Sequence, residues 1–233
     1  MKTVLITGAN RGLGLEFVKQ YADSDWKVIA TCRKKSDLEA TEALHSIILR
    51  SNVSIFEMDV TNFEECKSVS ETLRDQTIDV LINNAGIFGP EEQFYNDINK
   101  LNENGWLETY LVNVISPIRI AKLFVDNLSK SETKLAVFIT SKMGSIADNS
   151  SGGYYNYRAS KAALNTMVKS FSIDAKEIYT LLLHPGWVKT DMGGQEANID
   201  AQESIQGMRM VIENFTSDQN GMFYDYKGRS ILW

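Results

Sequence analysis

Cysteine is scarce in this chain: Cys32 and Cys66 are the only two in 233 residues. One ends an apolar run and the other lies in a helical pattern, so a disulfide framework is excluded and a reducing, cytoplasmic setting is expected. Histidine is equally sparse. His45 and His184 stand far apart with no Cys/His cluster beside them, which leaves no metal-ligand spacing. No stretch approaches the ~20 consecutive apolar residues of a membrane span. The opening run MKTVLITG meets glycine too soon for a signal peptide. Basic residues (24) are outnumbered by acidic ones (30), and a net charge of -6 argues against a nucleic-acid footprint. There are three prolines, and no repeat, low-complexity block or Pro/Gly-rich linker divides the chain. Residues 1–233 are therefore expected to form a single domain with one well-buried core.

What the chain does have is alternation. Short runs rich in Val, Ile, Leu and Phe read as strands at 3–7, 27–32, 53–58, 80–82, 136–140 and 180–183. Several are apolar at consecutive positions, as strands covered on both faces should be. Helical periods fall between them, at 13–21, 37–49, 63–73, 106–128 and 157–175. Strand and helix in alternation imply right-handed crossovers. The expected fold is α/β, a single doubly wound parallel sheet with helices on both faces, Rossmann-like. Ligands of such sheets bind outside the carboxyl ends of the strands. Polar segments near 89–104, 145–155 and 192–204 are the natural walls of that cleft.

The first strand runs into VLITGANRGLG, with glycines at 8, 12 and 14. Glycine permits positive φ and close backbone approach, and the helix that follows offers unpaired N–H groups to a phosphate. A turn that merely packs helix on sheet is the plainer reading; the strand–loop–helix context favours a phosphate site. The second strand ends in IATCRKK. A site selecting NAD carries an acid there for the ribose 2′-hydroxyl. Here Cys32 is neutral and Arg33 follows it. Arg11 and Arg33 stand where forked donors would clamp a 2′-phosphate, so NADP(H) is the expected cofactor.

In YNYRASKAALN, Tyr157 and Lys161 are four apart and share one helix face. A tyrosine that exchanges protons near neutrality needs its pKa lowered by roughly 3 units from about 10. A neighbouring ammonium and an oxidised nicotinamide would supply that shift. Tyr154 and Arg158 form a rival pair, but arginine exchanges no proton and tunes less well. Such spacing also occurs in plain surface pairs.

In order along the chain stand TGANRGLG (7–14), DV (59–60), NNAG (83–86), Asn113 in VNV, Ser141, YRASK (157–161) and HPGWVKTDM (184–192). This ordered set resembles the short-chain dehydrogenase/reductase family. Its closing pieces are most similar to sniffer-type carbonyl reductases and to the C-factor signalling proteins. The resemblance implies a catalytic set of Asn113, Ser141, Tyr157 and Lys161. Ser141, preferred to its rivals Thr140 and Ser145 because it stands three before Gly144 as in the family's S-x-x-G pattern, would hold the substrate carbonyl, and a water near the Asn113 backbone would lead to Lys161, helped by the kink of Pro117. It implies cofactor contacts from Gly8, Asn10, Arg11, Gly12, Leu13, Gly14, Arg33, Asp59, Val60, Asn83, Ala85 and Gly86. Tyr157, Lys161, Pro185, Gly186, Val188 and Thr190 complete that set. Asp59 would take the adenine amino group, with Thr61 a helix-cap candidate behind it. His184 reads as a packed strand-end residue. Fifteen residues separate Ser141 from Tyr157, more than the family usually has. The excess, in ADNSSGG, is expected to form a mobile rim of the cleft.

The expected function is NADPH-dependent reduction of an aldehyde, ketone or quinone. Phe88, Phe94, Tyr95, Met143, Tyr154, Trp187 and Met192 are candidates for an apolar substrate pocket. A 3-oxoacyl-carrier-protein reductase, an NAD-linked alcohol dehydrogenase and a non-catalytic dinucleotide-binding signalling protein are the rival readings. The expected partners are a small-molecule carbonyl substrate and further copies of the chain, as a homodimer or homotetramer, with no nucleic acid and no membrane.

Overall fold

Seven short apolar runs pair side by side into one parallel sheet. A computed structural model of the chain describes residues 1–34, 46–47, 49–89 and 102–233. The strands are β1 (Lys2–Thr7), β2 (Trp26–Cys32), β3 (Val53–Glu57), β4 (Val80–Asn83), β5 (Leu135–Ile139), β6 (Tyr179–His184) and β7 (Met222–Asp225). Their order is β3-β2-β1-β4-β5-β6-β7, and every neighbour pair is parallel. The order reverses between β1 and β4, which is where a ligand crevice opens in such sheets.

Helices cover both faces, as the continuous apolar strands demand. Successive strand residues point to opposite sides. Val4 and Ile6 of β1 and Leu181 and Leu183 of β6 therefore pack on one side, against helix α1 (Gly12–Ala22). Leu5 and Leu182 pack on the other, against α2 (Phe63–Thr72) and the helices that follow β4 and β5. Among the described residues no helix is long and apolar enough to cross a membrane.

Three expectations need correction. The single helical pattern at 106–128 is broken into α3 (Glu103–Tyr110), a π-helical turn (Leu111–Ile115), α4 (Ser116–Leu123) and α5 (Val125–Ser129). Pro117 is the reason: it enters the first turn of α4 and has no N–H to give to the carbonyl of Asn113. Asn62, not Thr61, caps α2; its side chain accepts from the N–H groups of Glu64 and Glu65. A helix after 200, α7 (Ala201–Glu213), covers the first face beside α1 with Ile205, Met208 and Ile212. The helical pattern at 37–49 and the candidates Phe94 and Tyr95 fall wholly or largely outside the described residues. The longest helix, α6 (Tyr155–Asp174), begins two residues before the pattern suggests.

Candidate active site

The cleft at the carboxyl ends of the strands is built first by its glycines. Gly8 leaves β1 with φ +65°, and a Cβ there would stand 2.9 Å from the Cα of Ala85. At Gly14 a Cβ would lie 2.1 Å from the Gly8 carbonyl oxygen and 2.6 Å from Nδ2 of Asn84. Neither position admits a side chain. Thr7 accepts from the N–H groups of Asn84 and Ala85, and Asn84 Nδ2 donates to the carbonyls of Thr7 and Gly8. The glycine turn and the end of β4 are thereby laced together. Arg11 precedes α1 without a side-chain cap, so the helix turns its first N–H groups toward the cleft.

The resulting cleft has a volume of about 290 Å³. Gly8, Asn10, Arg11, Gly12, Leu13, Gly14 and Arg33 line one end, with Asp59 and Val60 beside them. Ala85, Gly86, Tyr157, Lys161, Pro185 and Thr190 line the rest. A larger hollow, about 700 Å³, opens at the amino ends of the strands around Lys2, Trp26 and Asp79. Among the described residues no glycine stands on its lining, and the glycine turn and the Tyr157/Lys161 pair both stand on the smaller cleft, so the chemistry points there.

Not every candidate stands on the lining. Asn83 is the last residue of β4 and buried, and neither polar atom of its amide finds a partner among the described residues. Its neighbour Asn84, which the sequence did not single out, lines the cleft instead. Gly186 turns the chain at φ +87° behind Pro185, and Val188 is buried in a bridge to Ile199. Asp59 accepts from the backbone N–H and the hydroxyl of Thr61, which fixes its carboxylate at the cleft edge. Arg11 does not stand free beside Arg33: its Nη1 is 2.6 Å from Oδ2 of Asp191. Both side chains are exposed, so the pair contributes little to stability. Arg33 is exposed at the end of β2, and no carboxylate lies at Cys32 or Lys34 to oppose a second phosphate.

The catalytic candidates converge at the other end. Tyr157 and Lys161 lie on consecutive turns of α6, both buried. Lys161 Nζ donates to the Ile139 carbonyl at 3.0 Å and sits 5.7 Å from the centre of the Tyr157 ring. Burial holds the ammonium well below its usual range, down to about 8. The phenol is pushed the other way, up to about 12, by burial, with a hydrogen bond from Ser141 opposing the rise. The chain's own groups thus do not lower the tyrosine toward neutrality. They keep it protonated, the form a proton donor needs.

Ser141 opens a tight turn, Lys142–Gly144, in which its hydroxyl accepts from the N–H of Met143. Gly144 lets this turn lie directly on α6: a Cβ there would be 2.7 Å from the carbonyl carbon of Lys161. That contact explains a glycine three residues after the serine. Asn113 sits in the π-helical turn, and its side chain is spent on structure. Oδ1 accepts from the N–H of Ile87, while Nδ2 donates to the Ile87 carbonyl and to Ser160 Oγ. Both of its N–H donors are thus taken, and the water expected here would be held at its main chain.

The segment expected as a mobile rim carries bonds of its own. Lys142 pairs with Asp148 at 2.8 Å, and Asn149 Oδ1 accepts from the Gly152 N–H. The guanidinium of Arg158 donates to Ser151 Oγ and to the Gly152 and Met143 carbonyls. This occupies the rival pair: Arg158 braces a loop, and Tyr154 stands at the start of α6 with φ +50°. A non-glycine residue in that conformation costs roughly 1–2 kcal/mol. Trimming residues 149–151 removes the Asn149 and Ser151 bonds; NADPH affinity should hold while the ranking of a carbonyl panel changes. His184 lies at the end of β6 with Nδ1 buried and unpartnered among the described residues, and burial pushes it down to about 4. It is a neutral packed residue.

Comparison with known proteins agrees with this geometry. The family model for short chain dehydrogenases matches residues 2–201. C-signal of Myxococcus xanthus is 39% identical over 158 residues, covering 67% of this chain and 93% of that protein. The solved carbonyl reductase Sniffer of D. melanogaster is 34% identical with all of both chains covered and a TM-score of 0.90. An NADPH-bound carbonyl reductase from chicken fatty liver is 33% identical, covering 100% and 99% of the two chains, with a TM-score of 0.88.

Proposed function

The chain belongs to the short-chain dehydrogenase/reductase family of oxidoreductases, and from that membership we propose that it is an NADPH-dependent carbonyl reductase acting on an aldehyde, ketone or quinone. The observation that carries the reading is the arrangement of one cleft. A buried Tyr157/Lys161 pair with Ser141 stands at one end, and an uncapped helix N-terminus with Arg33 stands at the other. The residues fit the cofactor: Gly12, Leu13 and Gly14, the first turn of α1, line the cleft, and no side chain caps that turn.

When bound, NADPH supplies the hydride. The protein's part is position, proton and shelter. The first turn of α1 receives the pyrophosphate, and Arg33 holds the 2′-phosphate. Gly86, whose Cβ position lies 3.7 Å from Lys161 Nζ, lets the cofactor's ribose reach the ammonium. Ser141 holds the carbonyl oxygen and Tyr157 donates the proton. Lys161 would pass its ammonium proton toward the Tyr157 oxygen and be reprotonated by a water at the Asn113 main chain. The relatives named for carbonyl reduction support this class. The test is NADPH turnover against a panel of aldehydes, ketones and quinones; no turnover with any member rejects the reading.

The likeness to C-signal favours one second reading, a dinucleotide-binding protein that signals without turnover. A sensor has no need of a buried ammonium beside a buried phenol, so reduction is preferred. Tight NADPH binding with no turnover on the panel would reverse that preference.

Cofactor choice is checked separately. Arg11 shares its guanidinium with Asp191 in an exposed pair, and Arg33 stands with it to meet the 2′-phosphate. Arg33→Ala should weaken NADPH by about 1.5–3 kcal/mol, the range for a bond to a charged group, and leave NADH nearly unchanged. Calorimetric titration with both cofactors measures this, and equal losses would refute the 2′-phosphate role.

A further inference from the structure

Phe88 belongs to none of the motifs, yet it lies on the most important ring in the cleft. Its ring centre is 4.4 Å from that of Tyr157, with the planes inclined by 24°. Tyr154 meets Phe88 edge-on, 5.6 Å away at 80°. Tyr154 is held in its left-handed conformation where α6 begins: its carbonyl accepts from the N–H of Arg158. Phe88 is thus stacked on Tyr157 on one side and met edge-on by Tyr154.

The position of Phe88 is set by one amide. Asn113 grips the residue before it, Ile87, by both N–H and carbonyl, at 2.9 and 2.8 Å. The same amide donates to Ser160 Oγ, whose hydroxyl donates to the Tyr157 carbonyl. One side chain therefore ties the strand-end segment bearing Phe88 to the helical turn bearing Tyr157. A single polar side chain whose two N–H donors and carbonyl oxygen are all engaged across two elements fixes their spacing well.

We propose that Phe88 is a positioning residue for the proton transfer: clamped through Asn113, its ring covers one face of Tyr157, excludes water there and fixes the direction of the phenol. The inference rests on the reading of Tyr157 as the proton donor. Two polar neighbours act on that phenol among the described residues, Lys161 from the next turn of α6 and Ser141 from the turn after β5. Phe88 and Tyr154 contribute ring surface and no charge on this side. Uncovering the ring face gives the ionised phenol water it lacks now, so the proton should leave at lower pH. Alcohol oxidation, which needs Tyr157 ionised, reports the same change.

The experiment compares wild type, Phe88→Ala, Phe88→Leu and Phe88→Tyr, each also with Tyr157→Phe. Ultraviolet difference titration between each protein and its Tyr157→Phe partner isolates the ionisation of Tyr157. The pH profile of alcohol oxidation with NADP⁺ is recorded alongside. Phe88→Ala should shift both curves to lower pH by about one unit and lower kcat more than it raises KM. Phe88→Leu should shift them less, and Phe88→Tyr, which keeps a stacked ring, should restore the wild-type curves. NADPH affinity should stay constant throughout. Curves of Phe88→Ala and Phe88→Leu that superimpose on the wild type overturn the inference. Should the alanine variant not fold, the leucine and tyrosine variants decide alone. Wild-type turnover in Tyr157→Phe would instead overturn the reading beneath it, so the two failures are distinct.

Discussion

Replacing Tyr157 by phenylalanine should lower turnover by at least about 10²–10⁴-fold, the usual worth of a positioned proton donor, and leave NADPH affinity unchanged. The ring is buried and stacked on Phe88, and phenylalanine keeps both features. What is lost is the hydroxyl and its bond with Ser141. Cofactor contacts at the glycine turn and Arg33 lie at the other end of the cleft and do not feel the change. The phenol's high pKa gives a second expectation. Because burial keeps Tyr157 protonated up to about pH 12, reductive turnover should not fall through loss of this proton until the pH approaches that value. Single-turnover measurements with a good substrate, with cofactor binding followed in parallel, test both points. If Tyr157→Phe stays active and Tyr154→Phe does not, the proton comes from the other ring.

The strands β1, β2, β4, β5 and β6 were legible because they are mostly buried, so their apolar residues run consecutively, while β3, an edge strand that is only half-buried, was legible from its Val, Ile and Phe. β7 was missed because it is shorter. It is a four-residue edge strand, and two of its residues, Met222 and Tyr224, are only partly buried. The helix α7 had a readable signal in Ile205, Met208 and Ile212, which are spaced at three and four residues. The polar run before it concealed that start. In the site, residues whose chemistry is their function could be named in advance, Tyr157 and Lys161 above all. Residues that act by absence or by reach could not. Gly144 matters because of what its missing Cβ would strike on Lys161. Asn84 matters because the fold brings Thr7 and Gly8 within its reach, some 76 residues back along the chain. The pairing of Arg11 with Asp191 across 180 residues has no local signal at all. The expected lowering of the tyrosine pKa assumed an ammonium together with an oxidised nicotinamide, and the chain itself supplies only the ammonium. The fold spends that ammonium on the Ile139 carbonyl and buries both groups.

That burial makes Lys161→Met the second severe variant, and one with an unusual stability signature. Methionine has nearly the length of lysine and no charge. Turnover should fall at least about 10²-fold, since proton supply to Tyr157 is lost, and NADPH should bind more weakly for want of the ribose contact. The fold should respond differently. Burial depresses the folded pKa of Lys161 from 10.5 to about 8. Below about pH 8 both states carry the proton, and the folded state bears the cost of a buried charge. Between about 8 and 10.5 the unfolded chain holds a proton that the folded chain does not. Wild-type stability therefore gains a term that rises with pH across that window. The whole term is on the order of 3 kcal/mol, at about 1.4 kcal/mol per pKa unit. Lys161→Met has no such term, so its advantage over wild type should be largest near pH 7 and shrink toward pH 10. Losing the bond to the Ile139 carbonyl costs about 1–3 kcal/mol, but that cost does not vary with pH and only offsets the curve. Burial raises the pKa of Cys66 from 9.0 to about 11, which opposes the trend above pH 9, yet Cys66 is common to both proteins and cancels in the difference. Urea unfolding of both proteins between pH 7 and 10, without cofactor, gives that difference directly. A difference that stays constant over the window would mean that Lys161 titrates as a solvated lysine, and the buried-ammonium account of the site would fall with it.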